Sequence, residues 1–165
     1  MTSIPQPKTL ATDFTLLNGD AQQVKLSDYR GKNVVLAFYP ADWTPVCTSE
    51  MTLIQEVLDD IHNYDAEVLG VSCDSHFTHR AWAERQHLAF PLLSDFWPHG
   101  MVAQQYGVFN EHTGISGRAL FFVDKLGVIR NQWIAEDPNI APGLSIIFDA
   151  LQQLQEVRPQ EASHV

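Results

Sequence analysis

The sequence predicts a single α/β domain, a mixed central sheet flanked by helices with a hairpin at its N-terminal end. Three observations lead there. First, 165 residues, 45% hydrophobic and 18% charged, suffice for one domain with a sizeable core. Second, apolar runs of strand length alternate with helical periodicity in the middle of the chain, as in parallel strands joined by crossover helices. Third, both ends carry pairs of strand-like runs separated by turn residues.

Residues 13–26 read as the hairpin, with DFTLL and QQVKL flanking Asn18-Gly19-Asp20. NVVLAFY, 33–39, is continuously apolar and predicts a strand buried on both faces. A helix follows, with Thr44 as N-cap, Pro45 at the first helical position and a core-facing stripe of Met51, Ile54, Leu58 and Ile61 through about residue 63. EVLGVSC, 67–73, predicts a second strand. Residues 76–87 predict a helix with Phe77 and Trp82 towards the core. AFPLLSD is a short strand, and 98–106 is a helix ending at Gly107. RALFFVD, 118–124, and VIRNQWI, 128–134, predict strands joined by a turn at Gly127. Residues 143–157 close the chain as an amphipathic helix through Leu144, Ile147, Leu151 and Leu154. A thioredoxin-like arrangement accommodates this order. Residues 1–165 then form one domain with its core at about 8–157 and loose termini, from Pro5 and Pro7 at one end and the polar RPQEASHV at the other. Right-handed crossovers place the loop after 33–39 at the carboxyl edge of the sheet, where sites in such sheets lie.

Composition narrows the function. Ten Lys and Arg against twenty Asp and Glu give a formal charge of −10, which repels phosphate backbones and argues against nucleic-acid partners. MTSIPQPKTL has no apolar leader core, and no run of 18 apolar residues occurs, so a membrane is not expected and the cytoplasm is. There two Cys would stay reduced rather than form a disulfide framework. No P-loop, G-x-G-x-x-G or H-E-x-x-H spacing is present, so no cofactor or metal is expected; His76 and His79, three apart, read as hydrogen-bonded surface residues.

The chemistry concentrates in Pro40-Ala41-Asp42-Trp43-Thr44-Pro45-Val46-Cys47. With Thr44 as cap, Cys47 lies in the first turn, where unpaired N–H groups and the helix dipole favour a thiolate. Such positions, with a nearby cation, lower a Cys pKa from roughly 8.5 to about 3.5–7.5. A buried Cys after a strand is, on position alone, as often a small apolar residue.

FYPADWTPVCTSEM, VLGVSCDSHFTHRAW and GRALFFVDKLGVIR, three separated blocks in order, resemble the peroxiredoxins. The resemblance implies a thiol peroxidase in which Cys47 is the nucleophile and becomes a sulfenic acid. It implies that Thr44 is the hydroxyl partner, that Pro40 shields the sulfur and that Arg118 is the fixed cation. Glu50 matches an acidic position that orients the Arg in part of the family; the alternative is a first-turn carboxylate favoured by the dipole. Trp82 matches a family Trp and reads as core. Substrates implied are hydrogen peroxide or organic hydroperoxides. A homodimer is also implied, with Trp43, Phe96 or Trp97 as interface aromatics. No Cys follows residue 134 and Thr52 stands five residues after Cys47, so two known resolving positions are empty. Cys73 is left. The reading favours a one-Cys cycle with an external reductant, a thioredoxin-like protein or a small thiol; a Cys47–Cys73 disulfide is the alternative. A dithiol oxidoreductase is excluded, since Thr44 and Glu50 occupy the C-x-x-C positions. A redox sensor or chaperone on the same fold stays open.

Overall fold

The computed structural model describes residues 2–156; Val157 and the terminal RPQEASHV segment lie outside the described residues. Strands β1 (Thr15–Leu17) and β2 (Gln23–Lys25) pair antiparallel with Leu16 opposite Val24. Their connection is longer than a two-residue Asn-Gly turn. The Asn18 side chain accepts from the Asp20 and Gln22 amides and organises five residues, 18–22. A 3-10 turn, Leu26–Tyr29, leads to β3 (Asn33–Phe38), buried at every position.

The predicted helix to residue 63 is two helices, α1 (Pro45–Glu56) and α2 (Leu58–His62), because Val57 leaves helical geometry at φ −108° and ψ 13°. Then come β4 (Ala66–Ser72), α3 (His76–Gln86), β5 (Leu92–Ser94) and α4 (Met101–Gln105). Ser75 caps α3 by accepting from the Thr78 amide, and Asp95 accepts from the Val102 and Ala103 amides at the start of α4. A small hairpin, β6 (Phe109–Asn110) and β7 (Ile115–Ser116), has too little apolar alternation to be visible in the sequence. Next, β8 (Ala119–Val123) and β9 (Ile129–Ile134) flank the turn at Gly127. There φ is +84°, a left-handed backbone that favours glycine. Helix α5 (Leu144–Glu156) ends the described chain.

The sheet order is β2-β1-β5-β4-β3-β8-β9, with β3, β4 and β5 parallel and the outer strands antiparallel. Strand alternation divides the core in two. Val35 and Ala37, Ala66 and Val68, Leu120 and Phe122 face a cluster covered by α1, α2, α3 and α5. Val34, Leu36 and Phe38, Leu69 and Val71, Phe121 and Val123 face the other, covered by α4 and the 3-10 turn. Trp82 is fully buried in the first cluster, as predicted, whereas Phe77 is 75% exposed on the outer side of α3. Among the described residues no helix is long and apolar enough to cross a membrane.

Candidate active site

The site assembles where β3 runs out. After Tyr39 the chain turns through Trp43, which adopts a left-handed φ of 71°, an unusual conformation for a bulky residue. Thr44 then returns to extended geometry and Pro45 opens α1, so Cys47 is the third helical residue, as predicted. The Thr44 hydroxyl does not cap the helix. It donates backwards to the Ala41 carbonyl at 2.7 Å, while the Thr44 carbonyl accepts the first helical bond from the Thr48 amide. The cap expectation is therefore corrected: no amide of the first turn donates to the Thr44 hydroxyl, which is held against the Ala41 carbonyl instead.

Cys47, Glu50, Met51 and Ile54 form the buried stripe of α1, at spacings of three and four. Arg118 arrives two residues before Leu120, so strand alternation puts it on the same face of the sheet. The two elements meet in a buried contact. Arg118 Nη2 donates to Cys47 Sγ at 3.3 Å, Nη1 lies 3.4 Å from Glu50 Oε1, and Nε donates to the Pro138 carbonyl at 2.9 Å. Cys47 is inaccessible, and the Glu50 and Arg118 side chains are each 2% exposed. Burial, outweighing the nearby guanidinium, pushes the Glu50 carboxyl up to about 7. Glu50 lies past the first turn of α1, so the reading as a dipole-favoured first-turn carboxylate fails.

Beside this contact opens a cleft of about 710 Å³. Pro40, Thr44 and Arg118 line its inner end; Val108, Phe109 and Ile115 of the β6–β7 region give it an apolar wall. Thus Pro40, Thr44, Cys47, Glu50 and Arg118 gather at one place. Cys73 does not join them. It stands one residue beyond the end of β4, buried and as a free thiol, close to the Ser116 amide and to Asp95. Burial, with Asp95 and Asp74 nearby, pushes its thiol up to about 12.

A second polar group under the loop went unread in the sequence. His79 is fully buried, contrary to its reading as a surface residue, and its Nδ1 meets Asp42 Oδ2 at 2.7 Å while Nε2 donates to the Leu93 carbonyl. Tyr39 donates its hydroxyl to Asp42 Oδ1, and the Asp42 amide donates to Asp74 Oδ2. Burial raises the Asp42 carboxyl above its usual range, against the lowering effect of His79. Asp42, Asp74 and His79 form a triad with metal-ligand atoms within 4.8 Å of one another, but those atoms are already committed to internal hydrogen bonds. The pair ties the loop before Cys47 to α3. His79→Ala is expected to cost roughly 3–5 kcal/mol, the effect of stranding one partner of a buried pair. Denaturant titration measures this, and a loss under 1 kcal/mol would contradict it. The residues stand in the blocks quoted above, but pairing across 37 positions leaves no trace in local periodicity.

Comparison with known proteins gives the context. The AhpC/TSA family model matches residues 7–132. The chain is 47% identical over 121 residues to alkyl hydroperoxide reductase E of Mycobacterium tuberculosis, spanning 73% of this chain and 79% of that protein. It is 41% identical over 138 residues to peroxiredoxin-2 of Rattus norvegicus, spanning 78% and 69%. The crystal structure of Enterococcus faecalis AhpC superposes with a TM-score of 0.82 at 31% identity, covering 96% of this chain and all of that one.

Proposed function

The chain belongs to the AhpC/TSA family, the peroxiredoxins, and on that premise we propose that it is a thiol-dependent peroxidase whose nucleophile is Cys47. The observation that carries this is the buried 3.3 Å contact from Arg118 Nη2 to Cys47 Sγ. A fixed cation at a buried sulfur favours the thiolate, and it is placed to offset charge on the departing oxygen. Thiolate attack on the terminal oxygen of R–O–OH forms an S–O bond and breaks O–O. Cys47 becomes a sulfenic acid and RO⁻ leaves as ROH after taking a proton. One external thiol then gives a mixed disulfide and water, and a second restores Cys47 and carries away the disulfide. Thr44 and Pro40 line the approach. The apolar wall of the cleft suits organic hydroperoxides as well as hydrogen peroxide.

The cycle is read as one-Cys, with a thioredoxin-like protein or a small thiol as reductant in a reducing compartment such as the cytoplasm. What supports it is that Cys73 is a buried free thiol whose pKa burial raises, so that it is a poor attacking group. Bridging needs Cα atoms within about 7 Å and Cβ vectors that converge. Cys73→Ser is therefore expected to keep most of the turnover with an external thiol. Mass spectrometry after one equivalent of peroxide should find sulfenic acid on Cys47; a Cys47–Cys73 disulfide, or loss of turnover in Cys73→Ser, would establish the two-Cys alternative. The peroxidase reading itself is tested by peroxide consumption with a thiol donor, and a rate near that of free cysteine would leave only the sensor or chaperone reading. A second copy of the chain is part of the proposal, since Trp43, Phe96 and Trp97 stand 53%, 53% and 81% exposed.

A further inference from the structure

Two acids share one cation beside the cleft. Among the described residues, Arg118 is the one cation within ion-pair distance of Glu50, and it also donates to Cys47. The two contacts are unequal: 3.3 Å is a close hydrogen bond to the larger sulfur atom, whereas 3.4 Å to Glu50 Oε1 is long against about 2.7–2.9 Å for a strong charge-assisted bond to oxygen. The third donor is spent on the Pro138 carbonyl, which does not titrate. Glu50 Oε2 is buried and has no hydrogen-bond partner among the described residues. If both Cys47 and Glu50 were ionised, the buried cluster would carry a net charge of −1, with a carboxylate oxygen unbonded among the described residues. That arrangement is costly, and the cheaper response is to keep a proton. The surrounding elements bring Tyr39 and, on α3, His79, both bonded to Asp42, with Tyr64 beyond α2, while Glu111, His112 and Glu136 line the cleft.

We propose that Glu50 is a positioning residue that exchanges ionisation with Cys47 across Arg118: when Cys47 is the thiolate Glu50 is the carboxylic acid, and when the sulfur loses its charge Glu50 takes over the guanidinium. Burial already holds the Glu50 proton to about pH 7. In the peroxide step, which rests on the peroxidase reading, Cys47–S⁻ + ROOH + Glu50–COOH gives Cys47–SOH + ROH + Glu50–COO⁻. Sulfur gives up two electrons to the O–O bond, the alkoxide leaves and takes up one proton, and Glu50 gives up one, so that protons and charge balance. Arg118 thereby keeps one anionic partner through the reaction, which holds its position for the returning thiol.

Infrared titration of the protonated carboxyl band tests the exchange without reading turnover, so its failure and that of the peroxidase reading are distinguishable. Wild type, Cys47→Ser and iodoacetamide-treated wild type are compared, and the band is assigned by its disappearance in Glu50→Gln. The wild-type band, with the Cys47 thiolate beside it, should titrate above the value of about 7 that burial and Arg118 set. In Cys47→Ser and in the alkylated protein the midpoint should fall by about one unit, a tenfold loss of proton affinity. An unchanged midpoint in both, or no protonated carboxyl above pH 6 in wild type, overturns the proposal. Should Glu50→Gln fail to fold, carbon-13 NMR of glutamate-labelled wild type and Cys47→Ser gives the same comparison.

Discussion

Peroxide consumption should fall to that of buffer in Cys47→Ser. The hydroxyl ionises far above the working pH and oxygen is a poor nucleophile towards O–O, so the substitution removes the reacting atom while leaving its shape. Because Cys47 is fully buried and Ser is of similar size, folding should be little affected. Stopped-flow peroxide decay with excess thiol, beside a denaturation curve, separates the two effects. Retention of more than a few per cent of the rate in a folded Cys47→Ser protein would move the nucleophile elsewhere, and Cys73 would be the next residue to test.

Arg118→Ala should slow the reaction with peroxide by roughly 10²–10³-fold, the loss typical of removing a preorganised donor from developing negative charge. It also takes away the cation beside Cys47 Sγ, so iodoacetamide should react more slowly at neutral pH. An unaltered alkylation rate would count against the electrostatic role. The stability of this variant should depend on pH in a defined direction. Arg118 lowers the Glu50 carboxyl, whose pKa is nevertheless about 7 in the folded chain against 4.5 for the free group. Without Arg118 the folded-state value rises further. Between about 4.5 and the folded value the native state binds more protons than the unfolded state, so stability falls as pH rises through that window. The deficit of Arg118→Ala relative to wild type should thus be small near pH 4.5 and grow above pH 7. A deficit constant across that range would mean that the two side chains are not coupled.

Much of this architecture was legible because burial leaves periodic traces. NVVLAFY announces a strand covered on both faces, and the Thr44-Pro45 pair marks the helix start to the residue. The stripe of α1 also contains Cys47 and Glu50, so the burial of Glu50 was readable from the spacing that located Met51 and Ile54. Three things left no local trace. The break at Val57 follows no Gly or Pro. Phe77 occupies a position that an isolated helix could turn inward, and only the packing of α3 through Trp82 fixes the opposite orientation. The Asp42–His79 pair joins residues from different elements, and its existence depends on where β5 places the Leu93 carbonyl. Strand alternation separates Leu69 and Val71 from Leu120 and Phe122, but Cys73 stands one residue beyond β4, where alternation no longer fixes its side.

The backward bond of Thr44 has a directional consequence. A hydroxyl owns one proton, and Thr44 has given its proton to Ala41. In the lining of the cleft it therefore shows lone pairs only. A molecule bearing its own O–H finds an acceptor there; one whose oxygens are all capped by carbon, or already stripped of hydrogen, finds none. The loop that holds the helix start in place also sorts visitors by the hydrogen they bring.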